Sequence, residues 1–120
     1  MAKILIAEDN LVNQRMLTFI LNKDGHTVIV AGHGGEALEL LAETPVDLII
    51  TDIDMPEMDG IALVKWVRAD AVFQKLPIII LTASGDDIEY CLAREAGANN
   101  VLTKPTGSRQ LLEAVEQVLT

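Results

Sequence analysis

Pro77-Ile78-Ile79-Ile80-Leu81-Thr82 carries no charge and shows no helical spacing. Leu48-Ile49-Ile50, within Val46–Thr51, reads the same way. Short, nearly continuous apolar runs rich in β-branched residues are the mark of strands covered on both faces, as in parallel sheets. Working outward, shorter runs of this kind recur at Ile4–Ala7, Thr27–Ala31 and Asn100–Thr103.

Between these runs the spacing becomes helical. Val12, Met16, Phe19 and Ile20 predict one apolar stripe, with Gly25 as its stop. Ala37, Leu38, Leu41 and Ala42 predict a second, and Ile61, Leu63, Val64 and Val67 a third. A weaker fourth is formed by Ile88, Cys91, Leu92 and Ala96, ending at Gly97. Leu111, Leu112, Val115, Val118 and Leu119 predict the last. Strand followed by helix, five times over, predicts an α/β fold: a parallel sheet with helices on both faces, joined by right-handed crossovers.

The chain has 120 residues, the size of one domain, and half of them are hydrophobic. A chain of this mass should fold to a surface of roughly 6,300 Å². Aromatic residues make up 3%, so the core must be aliphatic. Lys and Arg number 9 against 18 Asp and Glu, a net charge of −9. That balance argues against direct nucleic-acid binding and against anionic membranes. A single cysteine, Cys91, rules out an internal disulfide framework. No apolar run is long enough for a membrane span or a secretory segment, so the expected setting is cytoplasmic.

All strand C-termini of a parallel sheet share one edge, and ligands bind there, where strand order reverses. Glu8 and Asp9 follow the first run. Asp52 ends the third, with Asp54, Glu57 and Asp59 after it, and Thr82 ends the fourth, followed by Ala83 and Ser84. Lys104-Pro105 follows the fifth. With strand order 2-1-3-4-5, Asp9 and Asp52 meet at the switch point, and Thr82 and Lys104 lie on the far flank. Glu8, Asp9 and Asp52 carry −3, Lys104 returns +1, and a divalent cation brings the sum to about zero. Mg²⁺ prefers such oxygen donors, and the histidine-free set is wrong for zinc. A carboxylate can be a covalent nucleophile that forms an acyl phosphate. Asp52 as nucleophile, Mg²⁺ and Lys104 as charge neutralisers and Thr82 as hydrogen-bond donor supply the parts that phosphoryl transfer needs.

Glu8-Asp9, the segment Asp52-Ile53-Asp54-Met55-Pro56-Glu57-Met58-Asp59-Gly60, Thr82-Ala83 and Lys104-Pro105 resemble the receiver domain of two-component response regulators. The resemblance covers the whole chain and implies a flavodoxin-like, three-layer sandwich of five strands and five helices. It implies Asp52 as the acceptor of a phosphoryl group from a histidine kinase or a histidine phosphotransfer protein. Glu8, Asp9, Asp52 and the main-chain carbonyl of Asp54 would hold Mg²⁺, and Thr82 and Lys104 would contact the phosphoryl group. The expected domain spans residues 1–120 with no output domain, and it catalyses only its own phosphorylation and dephosphorylation. A monomer or a weak phosphorylation-linked dimer is expected. The stretch Glu8 to Gln14 is similar to receivers fused to hybrid histidine kinases.

Two positions depart from the family. An aromatic often stands three residues before the lysine, where this chain has Val101, and Thr106 replaces the usual apolar residue after Lys-Pro. Val101 has little reach and a stiff χ1. Output is therefore expected to run through residues 82–84 and the fourth helix, around Asp86 to Ala96, to a partner on the face of the fourth helix, fifth strand and fifth helix. The bond before Pro105 is expected to be cis.

Simpler roles suit other residues. Asp59-Gly60 reads as turn and cap chemistry, Glu57 as a solvated loop acid, and His26 and His33 as exposed loop residues. Cys91 reads as an inert small hydrophobe, and Trp66 as cover for the core or a helix face. Asp52-Ile53-Asp54 also fits the nucleophile spacing of haloacid-dehalogenase-type phosphatases, but those place it after the first strand, and this chain is short for such an enzyme. A flavin-binding module would carry a Ser-, Thr- and Gly-rich loop after the first strand, where Glu8 and Asp9 stand. A calcium loop starting at Asp52 would need glycine at residue 57, which is Glu57.

Overall fold

The computed structural model describes residues 2–55, 58–83, 86–104 and 106–120. Five strands and five helices alternate: β1 (Lys3–Ala7), α1 (Leu11–Lys23), β2 (Thr27–Ala31), α2 (Gly34–Glu43), β3 (Leu48–Asp52), α3 (Gly60–Ala69), β4 (Ile78–Thr82), α4 (Asp87–Ala96), β5 (Asn100–Thr103) and α5 (Ser108–Leu119). The sheet is wholly parallel, in the order β2-β1-β3-β4-β5. The flavodoxin-like architecture and strand order are those expected from the sequence. Glu57 and the bond between Lys104 and Pro105 lie outside the described residues.

Strand residues alternate between two cores. Leu5, Ala7, Ile49, Ile78 and Ile80 meet Ala37, Leu41, Leu63, Val64, Val67 and Ala93, from α2, α3 and α4. Ile4, Ile6, Leu48, Ile50, Ile79 and Leu81 meet Leu17, Leu21, Leu111 and Val115, from α1 and α5. This double burial is why β4 is apolar up to Thr82 and β3 is apolar up to Thr51. The folded surface is 6583 Å², close to the value expected from chain length. Among the described residues no aromatic side chain is fully buried, and only Phe73 packs half-buried against a core that is otherwise aliphatic.

Four sequence readings are corrected. In α1 the buried residues are Leu17 and Leu21, whereas Val12, Met16 and Phe19 face solvent. Both sets have helical spacing; they differ by one residue, about 100° around the axis. In α4 only Ala93 is buried, and Ile88, Cys91 and Leu92 are exposed. Trp66 is 61% exposed on α3, so most of its side chain faces water and it is not cover for the core. The histidines are structural. His33 caps α2, its Nδ1 accepting from the Glu36 N–H, and half-buried His26 accepts from the Ala2 N–H and faces Asp24.

Candidate functional site

Each site residue sits where its strand stops. Glu8 follows β1, and its own N–H donates to Ala31 O at 3.0 Å, carrying the strand pairing one residue further. Asp52 is the last residue of β3. Lys104 follows β5, and its N–H donates to Thr82 O at 2.6 Å. Strand alternation then sorts the side chains. Glu8 has the parity of Ile4 and Ile6, Asp52 that of Leu48 and Ile50, and Lys104 that of Leu102, all in the core beneath α1 and α5. Thr82 has the parity of Ile78 and Ile80, which face the helices on the other side.

The result is a compact ionic centre. Lys104 Nζ lies 2.9 Å from Asp52 Oδ2 and 3.1 Å from Glu8 Oε1. Glu8 and Asp52 are both buried, and Asp9 is exposed. Glu8 Oε2 accepts from the Asn10 N–H at 3.1 Å, and Gln14 Nε2 donates to Glu8 O. Asn10 also caps α1 by accepting from the Asn13 N–H. The start of α1 therefore fixes the acid. Burial, and then the charge of Asp52, push the Glu8 carboxyl above its ordinary pKa against the pull of Asn10 and Lys104. Burial alone would lower the Lys104 ammonium, but hydrogen bonds and charge from Asp52 and Glu8 outweigh it and raise its pKa.

Asp59 caps α3 by accepting from the Ala62 N–H, as its sequence suggests. The Gly60 N–H donates to Ile53 O at 2.8 Å. A Cβ on Gly60 would lie 3.0 Å from Ile53 Cα and closer still to the Asp52 carbonyl oxygen. Glycine is thus needed here to let α3 start against the backbone of the Asp52 turn.

Carboxylate oxygens of Glu8, Asp9 and Asp52 all lie within 4.8 Å of one another. Opposite ligands on Mg²⁺ are about 4.2 Å apart, so this all-oxygen set fits a hard divalent cation after small adjustments. A cleft of about 360 Å³ opens beside the centre, lined by Glu8 and Lys104 and by apolar Met16, Ile20 and Leu81.

The structure thus brings Glu8, Asp9, Asp52 and Lys104 together. The carboxylate of Asp54 is exposed and outside this cluster. Thr82 stands apart: its hydroxyl donates to Glu89 on α4. Sequence reasoning missed Asn10, Gln14 and Glu89. Strand parity at Thr82 was the available signal for Glu89, since it points that side chain toward the face where α4 packs.

The doubly wound sheet carries this acid–lysine centre at its switch point, the placement that the sequence resemblance implies. The family model for the response regulator receiver domain matches residues 4–116, and the chain belongs to that family. It is 40% identical over 119 residues to a chemotaxis protein CheY homolog of Campylobacter jejuni, covering 98% of this chain and 92% of the relative. It is equally identical to the chemotaxis protein CheY1 of Helicobacter pylori, covering 98% and 96%. The receiver domain of a signal transduction histidine kinase from Syntrophus aciditrophicus superposes with a TM-score of 0.93 at 35% identity, covering 99% and 90%. Chemotaxis protein CheY4 of Vibrio cholerae superposes at 0.94 with 33% identity, covering 99% of both chains.

Proposed function

We propose that Asp52 accepts a phosphoryl group from the phosphohistidine of a histidine kinase or a histidine phosphotransfer protein. The observation that carries this reading is Lys104 Nζ held between Asp52 and Glu8 with Asp9 at hand. An Asp52 oxygen attacks phosphorus, the P–N bond breaks, and the imidazole leaves with its electron pair and takes up a proton. The product is an acyl phosphate on Asp52. Lys104 offsets charge on the phosphoryl oxygens, and Thr82 donates a hydrogen bond once its hydroxyl turns toward them. Glu8, Asp9, Asp52 and the Asp54 carbonyl would hold Mg²⁺, which would supply the remaining positive charge. Water later cleaves the acyl phosphate to the carboxylate and inorganic phosphate, so the domain acts only on its own aspartate.

Exposed Leu11, Val12, Met16 and Phe19 on α1 start two residues beyond Asp9 and suit an apolar helix face that carries the phosphohistidine. On this reading the phosphorylated domain presents α4, β5 and α5 to a downstream protein in the cytoplasm, as a monomer or a weak dimer. No helix is long and apolar enough to cross a membrane among the described residues.

Intact mass after incubation with a small phosphodonor tests the reading. The mass should rise by one phosphoryl group, only with Mg²⁺, and not in Asp52→Asn. Continuous release of phosphate from generic esters without labelling would point to a phosphatase instead.

A further inference from the structure

Thr82 and Lys104 are adjacent at the rim, but their side chains leave the sheet on opposite faces. Lys104 turns to Asp52, whereas the Thr82 hydroxyl donates to Glu89 Oε1 in the first turn of α4. A hydroxyl has one proton to give. It cannot serve the Glu89 carboxylate and a phosphoryl oxygen on Asp52 together.

The rest of α4 makes this contact consequential. Ala93 is its one buried residue and Ala96 packs half-buried against the core, whereas Ile88, Tyr90, Cys91 and Leu92 are exposed, so little apolar contact ties down its N-terminal half. Its C-terminal end is fastened differently. Arg68 of α3 donates from Nε to Gly97 O at 3.0 Å, from Nη1 to Leu76 O at 2.7 Å and from Nη2 to Asn99 Oδ1 at 2.9 Å. Gly97 ends α4 in the left-handed region at φ 119°, and a Cβ there would meet the Arg68 side chain at 2.8 Å. The helix is clamped at one end and hooked at the other.

Resting on the phosphoacceptor reading above, we propose that Glu89 is a positioning residue that keeps the Thr82 hydroxyl turned away in the unphosphorylated state. Occupation of Asp52 by a phosphoryl group and the Thr82–Glu89 hydrogen bond exclude each other. Phosphorylation therefore unhooks the N-terminal end of α4 and leaves the Arg68 clamp closed. By linkage, weakening the hook strengthens phosphoryl binding by the same factor.

The test is the affinity for beryllium fluoride, a phosphoryl mimic, in the presence of Mg²⁺, followed by amide NMR. Wild type, Glu89→Ala, Glu89→Gln, Thr82→Ala and the Glu89→Ala/Thr82→Ala double variant are compared. Glu89→Ala should bind the mimic about fivefold more tightly or better. Glu89→Gln keeps an acceptor oxygen without its charge and should fall between. In the Thr82→Ala background, Glu89→Ala should change nothing further. Without the mimic, the amides of residues 87–96 in Glu89→Ala should already lie toward their bound wild-type positions, with Arg68 and Gly97 unmoved. An equal gain in both backgrounds would mean that only a repelling charge had been removed, and would overturn the proposal, as would no gain at all. A wild-type domain that takes up neither the mimic nor a phosphoryl group would instead overturn the phosphoacceptor reading, and the hook with it.

Discussion

Lys104 Nζ stands 2.9 Å from Asp52 Oδ2, and it gets there from the end of β5 by reaching past β4 to β3. The same ammonium serves Glu8 at the end of β1, so one side chain ties the termini of three strands. Lys104→Met would leave two buried carboxylates facing each other without a cation. Its stability to urea in EDTA should fall by about 2–4 kcal/mol. Added Mg²⁺ should recover part of that loss. A variant as stable as wild type in EDTA would show that the pair contributes nothing to folding.

Gly60→Ala forces a methyl group against the Asp52 and Ile53 backbone, where no flexible side chain can give way. The expected loss is about 1–3 kcal/mol or more. Mg²⁺ affinity should fall with it, because the displaced backbone carries Asp52. Calorimetry on the variant with and without Mg²⁺ reads both effects, and an unchanged Tm would refute the close approach.

Mg²⁺ at a hundred times its Kd should stabilise the wild-type domain by about 2.7 kcal/mol. Asp9→Ala should abolish most of this shift, because exposed Asp9 is the acid of the cluster without a lysine partner among the described residues. Glu8→Ala should weaken it less, since Glu8 already serves Lys104 and the Asn10 N–H. The reverse order in thermal-shift titrations would exchange their roles.

The Glu8 carboxyl is raised in the folded state, chiefly by burial. Its stabilising contribution is therefore present below the unfolded value of 4.5 and is lost as pH rises through the folded value. Glu8→Gln cannot ionise. Without Mg²⁺, the wild type should lose stability relative to Glu8→Gln as pH is raised from about 4 toward 7. Urea denaturation across that range checks it, and parallel curves would refute the raised value.

Much of this was legible in the sequence. Ile78-Ile79-Ile80-Leu81 could be read as a doubly buried strand because both alternating faces had to be apolar, and the order of strand ends then placed Glu8, Asp9, Asp52, Thr82 and Lys104 on one rim. What periodicity could not choose was rotation about a helix axis. In α1 two stripes one residue apart are both apolar, and the capping by Asn10 and the tie from Gln14 to Glu8 decide between them. Reach was also hidden: Lys104 sits on the flank by its backbone, but its ammonium lies over the switch point. The Thr82–Glu89 contact was hidden because α4 carries its large apolar residues on the exposed face, so that hydrophobic periodicity does not mark Glu89 and Ala93 as its inward positions.

An interior without tryptophan or tyrosine has an optical consequence. Trp66 is 61% exposed on α3, Tyr90 46% on α4 and Phe19 67% on α1. Tryptophan emission should therefore barely shift when the domain unfolds, because the indole already sees water. Unfolding is better followed by far-ultraviolet circular dichroism, which reads the helices. Trp66 is left as a lamp on the outside, dark to the core and responsive to whatever settles against α3.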